Sequence, residues 1–241
     1  MSETLGELQE RRARGPRSML MLFDLDDTLV HRRAVFSSWA EEFASQYPEQ
    51  SGLAAWLTAE DQDGLRPREE LWSRVKTRLS LDLPVERLVS DWQEVFVARY
   101  AVDPDTRDVL RRARSQRWRL GVVTNGDAAV QAAKIAAAGL APLVDGICIS
   151  GAEGVAKPHR EIFDLAALRC GADLVGGWMI GDNPLADIQG AHNAGLNSVW
   201  IADEGIAWPS EHRPPTRSAA TVSAAVDLIL SLPTQEPVRR S

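Results

Sequence analysis

Two aspartates, Asp24 and Asp26, stand where a short apolar run over residues 19–23 gives out. A run of that kind reads as a fully buried strand. Carboxylates at its exit are poor structural choices and useful chemical ones. On extended backbone, side chains two residues apart start out on the same face. Like charges that close call for a metal ion, or one of them must hold a proton. Either arrangement points to catalysis. The structural alternative is a solvated acidic loop in which Asp27 or Thr28 caps a helix.

Three more polar constellations follow, each just after a buried apolar run. Residues 120–123 lead into Thr124-Asn125-Gly126-Asp127; residues 147–150 lead to Lys157-Pro158; residues 178–180 lead to Gly181-Asp182-Asn183, with Asp187 five residues beyond Asp182. Helical patterns cover 127–138, 158–169 and 184–193 between these runs. Strands alternating with helices predict an α/β fold, a doubly wound parallel sheet covered on both faces. Ligands bind such sheets outside the carboxyl ends of the strands. All four constellations fall on that edge, which predicts one common site. Each has a structural alternative. Residues 124–127 suit a turn with Asp127 as a helix N-cap. Lys157 suits a surface position before a proline in a first helical turn. Asn183 suits an N-cap before Pro184, and Asp187 a solvated helix position.

In this order and spacing the chain resembles the haloacid dehalogenase superfamily over about residues 19–202. The motifs that carry the resemblance are Asp24-Leu25-Asp26-Asp27-Thr28, Thr124-Asn125, Lys157-Pro158 and Gly181-Asp182 with Asp187. The resemblance implies a Rossmann-like core, and Thr28 points to the phosphatase branch. Dehalogenases of the family lack the second aspartate, and its sugar phosphomutases usually carry Gly-Val or Gly-Ala at positions 27 and 28. Asp27 departs from the commoner glycine, with no chemical consequence expected. The resemblance further implies Asp24 as nucleophile, forming an aspartyl-phosphate, and Asp26 as acid and then base. Mg²⁺, which prefers oxygen ligands and bridges carboxylates to phosphate, would be held by Asp24, Asp182 and the Asp26 backbone carbonyl. Lys157 would place positive charge against the phosphoryl oxygens. Thr124 and the amides of Asn125 and Gly126 would hold the remaining oxygens, with Thr28, Asn183 and Asp187 behind them.

Between Leu29 and Asp103 the strand–helix alternation stops, and helices are expected over 34–47, 53–60, 68–79 and 85–100. Trp39, Trp56, Trp72 and Trp92, half of the chain's eight tryptophans, concentrate there. They read as the core of a small helical bundle, or as one of them lining a substrate pocket. An insertion straight after the first motif matches the helical C1-type cap of one branch of the family, which would close over the site during phosphoryl transfer. Arg32 and Arg33 are the cations nearest the nucleophile in sequence. Arg66, Arg68, Arg74, Lys76 and Arg78 read as a solvated helix face or as a site for a second anionic group. His31 and His159 lie beside the motifs without an assigned role. The expected division is a polar leader over 1–17, a core of 18–31 plus 104–231, a cap over 32–103 and a flexible tail over 232–241.

The 241 residues carry a net charge of −7, which argues against nucleic acid or a membrane surface as the main partner. No apolar stretch approaches the ~20 residues needed to span a bilayer, and the N-terminal segment has no apolar signal core. Cys148 and Cys170 read as small buried hydrophobes of a reducing compartment, and their spacing makes no case for zinc. A cytoplasmic location is expected. The leading functional expectation is a Mg²⁺-dependent phosphatase for a small phosphomonoester, such as a nucleotide, sugar phosphate or phosphorylated acid. A phosphomutase of the same fold and a non-catalytic binding or regulatory protein are the alternatives.

Overall fold

The computed structural model describes residues 19–203 and 205–232; the expected leader, and the expected tail beyond residue 232, lie outside them. Strand β1 (Leu20–Phe23) lies at the centre of a sheet, with all four residues buried. It pairs in parallel with β2 (Arg119–Thr124) on one side and β4 (Trp178–Gly181) on the other. Outside these lie β3 (Gly146–Ile149), β5 (Asn197–Ile201) and the edge strand β6 (Arg217–Ala219). The order is β3-β2-β1-β4-β5-β6, with every pairing parallel. This is the expected doubly wound sheet, with its topological switch point between β1 and β4.

The helices run in chain order around it. Four of them, α1 (Arg32–Ser45), α2 (Leu53–Asp61), α3 (Arg68–Leu79) and α4 (Val85–Val97), follow β1. Next, α5 (Pro104–Ser115) leads into β2 and α6 (Ala128–Ala137) toward β3. A short α7 (Ser150–Glu153) precedes α8 (Arg160–Cys170). A π-helical stretch, Pro184–Gln189, runs into α9 (Gly190–Ala194), and α10 (Val222–Ser231) follows β6.

Both faces of the sheet are buried, so its strands are near-continuous apolar runs rather than alternating ones. The period-2 geometry still sorts their side chains. Leu20 and Leu22 pack with Met179 against Ile162, Phe163 and Ala166 of α8 and Ala191 of α9. Met21 and Phe23 face the other way with Val122 and Ile180, toward Val109 and Leu110 of α5, Ile135 of α6 and Val226 of α10. That second cluster continues without a break into the inserted helices.

The inserted tryptophans divide by role. Trp39 has the rings of Phe36, Phe43, Trp72, Trp92 and Phe96 around it, with centroids 5.2 to 6.1 Å away. Edge and tilted contacts dominate, the arrangement aromatic quadrupoles prefer. Trp56 stands apart, its ring covered by the Arg78 guanidinium at 4.6 Å. A buried ionic knot ties three helices together: Asp61, at the end of α2, accepts from Arg32 of α1, from Arg68 of α3 and from the Gly64 amide. At the two ends of the insertion, His31 Nε2 lies 2.6 Å from Asp103 Oδ2.

The expected helices are all present, with ends shifted by up to three residues: α1 begins at Arg32 and α4 ends at Val97. Helix α5 and strand β6 lie where the sequence pattern assigns nothing; β6 is three residues long and mostly exposed, too short to show a period. Truncating Trp39 to alanine removes the centre of the aromatic cluster. The variant should unfold at lower urea, with a stability loss of about 3–5 kcal/mol.

Candidate active site

The site forms where β1 and β4 end. The Asp24 amide donates to the Ile180 carbonyl at 2.9 Å, so the pairing of the two strands carries on to the first aspartate. The Asp24 carboxylate is buried and accepts from Lys157 Nζ at 2.5 Å. Lys157, buried in turn, also donates to Asp187 Oδ1 at 2.7 Å. Asp187 is wholly buried, and its second oxygen accepts from the Asn183 amide at 2.9 Å. It folds back from the π-helical stretch over Gly181, where a Cβ would lie 2.2 Å from Asp187 Oδ2. Only glycine fits there. Asp182 stands at the mouth, accepting from Arg33 Nη2 of α1 at 2.9 Å. Carboxylate oxygens of Asp24, Asp182 and Asp187 lie within 4.8 Å of one another.

Asn125 spends both ends of its amide on the backbone of the lysine. Its Oδ1 accepts from Lys157 N and its Nδ2 donates to Lys157 O, both at 2.9 Å. The side chain therefore fixes the loop that carries Lys157. Gly126 has φ +143°, a conformation side chains disfavour, and its amide donates to Ser150 Oγ at 3.0 Å. Thr124 is buried at the end of β2, and its hydroxyl accepts from Gln131 Nε2 at 2.6 Å. Asp127 caps α6, its carboxylate accepting from the Ala129 and Val130 amides. Asn183 caps the π-helical stretch in the same way, through Leu185 and Ala186. Thr28 is buried, and its hydroxyl meets no hydrogen-bond partner among the described residues.

The geometry departs from the sequence-based expectation at Asp26. Extended backbone ends at Phe23, and Asp27 sits in the left-handed region at φ 55°. The chain turns from Leu25, whose carbonyl accepts from the Thr28 and Val30 amides, and the carboxylates of Asp24 and Asp26 take different partners. Both Asp26 oxygens accept from Lys134 Nζ, at 2.8 and 2.7 Å, and Oδ2 also accepts from Gln131 Nε2 at 3.0 Å. The Asp26 side chain stays outside the three-carboxylate cluster. The turn also accounts for the glycine common at position 27, because aspartate is among the few other residues that tolerate this conformation. Asp27 adds a structural contact, its Oδ1 accepting from the Arg33 amide at the start of α1 at 2.8 Å.

Gln131 and Lys134 are the contacts that the motif reading misses. They lie three apart on one face of α6, in the segment AAVQAAKIAA, and both are buried. Two long polar side chains on one stripe of an alanine-rich helix, just after a motif, are the signal. By contrast, Arg66 and the cations of α3 after it are occupied within the insertion. Arg66 pairs with Glu60 and Glu70, Arg74 lies near the same two, Arg68 holds Asp61, and Lys76 donates to the Leu81 and Leu83 carbonyls. A cavity of about 370 Å³ is lined by Trp39, Trp72 and Trp92, and no acidic residue of the site lines it. His159 is exposed at the start of α8 and caps nothing with its side chain.

The electrostatics follow from burial and crowding. Burial pushes the Asp24 pKa up to about 8, with Asp187 and Asp182 adding to the rise and Lys157 opposing it. Burial and then Asp187 push Asp182 up to about 6. Burial works against the charge on Lys157, yet Asp187 and Asp24 outweigh it and hold its pKa above the ordinary lysine range. Burial lowers the Lys134 pKa, with Asp26 opposing. Three carboxylates crowded around one buried lysine favour added positive charge, and an all-oxygen donor set suits a hard divalent cation. Asp24 and Asp182 fit as its direct ligands, because both Asp187 oxygens are already engaged.

A family model for haloacid dehalogenase-like hydrolases matches residues 19–195. The chain belongs to this family. Over 192 residues, 76% of this chain and 80% of the relative, it is 30% identical to the glyceraldehyde 3-phosphate phosphatase of Pyrococcus abyssi. It is 36% identical over 108 residues to the phosphoserine phosphatase of Thermus thermophilus, a match that spans 45% of this chain and 43% of that relative's length. Relatives of this kind place the haloacid dehalogenase-like chain among the phosphoric monoester hydrolases. Among solved structures, a magnesium-bound hydrolase of the family from Bacillus subtilis superposes with a TM-score of 0.68 at 22% identity, covering 90% of this chain and 100% of the other. The L-2-haloacid dehalogenase of Xanthobacter autotrophicus gives 0.67 at 18% identity with the same coverage. These two likenesses establish the fold. No helix among the described residues is long and apolar enough to cross a membrane.

Gly181→Ala tests the packing of this family member's site. The added methyl must displace Asp187, whose hold on Lys157 then loosens. Overpacking of this kind costs about 1–3 kcal/mol, which thermal unfolding should register. Phosphatase turnover should fall by more than that stability loss alone explains.

Proposed function

We propose that the protein is a Mg²⁺-dependent phosphatase that cleaves a small phosphomonoester through an aspartyl-phosphate on Asp24. The observation that carries this reading is the cluster of Asp24, Asp182 and Asp187 at the switch point of the sheet, with buried Lys157 bonded to Asp24 and Asp187. Asp24, Asp182 and the Asp26 backbone carbonyl would hold the ion, which when bound offsets carboxylate charge and polarises the phosphate. The Asp24 oxygen attacks phosphorus as the bond to the leaving oxygen breaks, and that oxygen takes a proton from Asp26. Lys157 and the Thr124 hydroxyl stabilise the phosphoryl oxygens. Asp26 then takes a proton from water as the water attacks phosphorus, and the bond to Asp24 breaks. Asn125, Asp187 and Asn183 act through the groups they hold, and Thr28 packs beneath the turn.

The insertion over residues 32–103 acts as a cap on a core formed by 18–31 and 104–231. Its two ends meet at the His31–Asp103 contact, which supports a hinge there, and Arg33 reaches from α1 into the mouth of the site. Substrate choice then rests with the cap, because the core contacts only the phosphoryl group. The names of the relatives, phosphatases for glyceraldehyde 3-phosphate and phosphoserine, support a small phosphorylated sugar or acid. Buried, unpaired Cys148 and Cys170 support a cytoplasmic setting.

Phosphate release from a panel of sugar phosphates, phosphorylated acids and nucleotides tests the proposal. Release should require Mg²⁺, stop in EDTA and return when Mg²⁺ is restored in excess. Asp24→Asn should keep the fold and lower kcat by about 10⁴-fold or more, as removal of a catalytic nucleophile does. Wild-type activity in that variant would overturn the mechanism.

A further inference from the structure

The reading of Asp26 as the leaving-group acid leaves one question: what aims a carboxylate that has turned away from the nucleophile. We infer that Lys134 and Gln131 are positioning residues for Asp26, holding it in register with the phosphoryl site. The inference rests on the proposed phosphatase chemistry and on one face of α6. Lys134 Nζ meets both oxygens of Asp26, and Gln131 Nε2 meets one of them. Three contacts from one rigid helix fix the plane and direction of the carboxylate. The same Gln131 amide nitrogen donates to Thr124 Oγ1 at 2.6 Å. One amide thus spans the hydroxyl assigned to the phosphoryl oxygens and the carboxylate assigned to the leaving oxygen. A fixed separation between those two groups is what in-line transfer requires, since small misplacements of a catalytic group cost rate steeply.

Lys134 is 6% exposed. A buried ammonium without an anion is expensive, and Asp26 is the anion it meets. Its other neighbours bring aromatic surface and like charge. The Tyr100 ring lies 5.2 Å from Nζ, and Arg32, Arg68, Trp92 and Phe96 line the same small cavity. Both arginines are committed to Asp61. The lysine is therefore directed at Asp26 from the side where the insertion meets the core.

A proton donor matters most when the leaving oxygen is strongly basic. The test compares kcat/KM, which reports the steps up to leaving-group departure, for p-nitrophenyl phosphate, phenyl phosphate and glycerol 3-phosphate. Wild type should show a shallow dependence on leaving-group basicity. Lys134→Met should steepen it, losing about 10²-fold with glycerol 3-phosphate, the scale of general acid catalysis, and less than about threefold with p-nitrophenyl phosphate. Gln131→Leu should steepen it in the same direction by a smaller factor, and Lys134→Arg should restore part of the shallow dependence. Circular dichroism and thermal unfolding accompany each variant. Equal losses on all three esters in folded Lys134→Met and Gln131→Leu would show a structural role and overturn the inference, leaving the phosphatase reading intact. Folded wild type that is silent toward every ester with Mg²⁺ would overturn that reading and this inference with it.

Discussion

Three carboxylates gathered around one buried lysine are the constraint on which the rest of the structure depends. Asp24, Asp182 and Asp187 come from two strand ends and a helical turn, yet their oxygens lie within 4.8 Å of one another. Such crowding in a poorly hydrated place raises carboxylate pKa values unless positive charge is supplied. Lys157 supplies part of it, and much nearby structure serves to deliver that lysine. Asn125 clamps its backbone from the end of β2. Gly181 gives up a side chain so that Asp187 can reach it, and Asn183 holds the far oxygen of Asp187 through its amide.

The sheet order explains why such a cluster can be built at all. With β1 beside β4, the chain leaves the two strands in opposite directions around the sheet and opens a crevice above them. Asp24 and Asp182 are the first residues past those strand ends; the parallel register sets Asp24 level with Gly181, and Asp182 follows one residue on, without a long loop. The β1 and β4 residues below are all apolar and buried. The insertion begins eight residues after Asp24. Its first helix starts under the control of the same turn, because Asp27 binds the Arg33 amide while Arg33 reaches Asp182. The turn after β1 and the first inserted helix are thereby joined by a direct hydrogen bond, and that helix to the mouth of the site by another.

The chain announces its fold more fully than its contacts. Apolar runs separated by amphipathic helices are a global pattern, so β1 to β4 and the helices that follow them can be read directly, as can the edge that carries the site, with α5 the exception. Strand β6 is lost because three residues, only the last of them apolar and partly buried, are too few to show a period. The separate partners of Asp24 and Asp26 are hidden for a different reason: alternation across a strand holds only while the backbone stays extended, and here it turns at once. Gln131 and Lys134 escape notice because long polar side chains on a helix usually run along apolar surface to water. The course of α6 turns these two inward, onto Asp26. The arginines of α3 illustrate the converse, a conspicuous charge run that the fold spends on its own glutamates and on Asp61.

Two aspartates two residues apart must do incompatible things if the proposed chemistry holds. One has to remain an unprotonated nucleophile, and the other has to carry a proton across a catalytic cycle. Separate environments are the general solution to that problem, and the turn that begins at Leu25 provides them here. Asp24 is buried among carboxylates and shares its lysine with Asp187, so its charge state is tied to whatever cations enter the cluster. Asp26 is partly open, faces a different lysine, and stands on the side toward the inserted helices. Each carboxylate has its own cation, from a different element of the fold. A single shared lysine would couple the two titrations and defeat the division of roles. The turn that begins between Asp24 and Asp26, at Leu25, is thus as much a part of the proposed chemistry as the aspartates themselves.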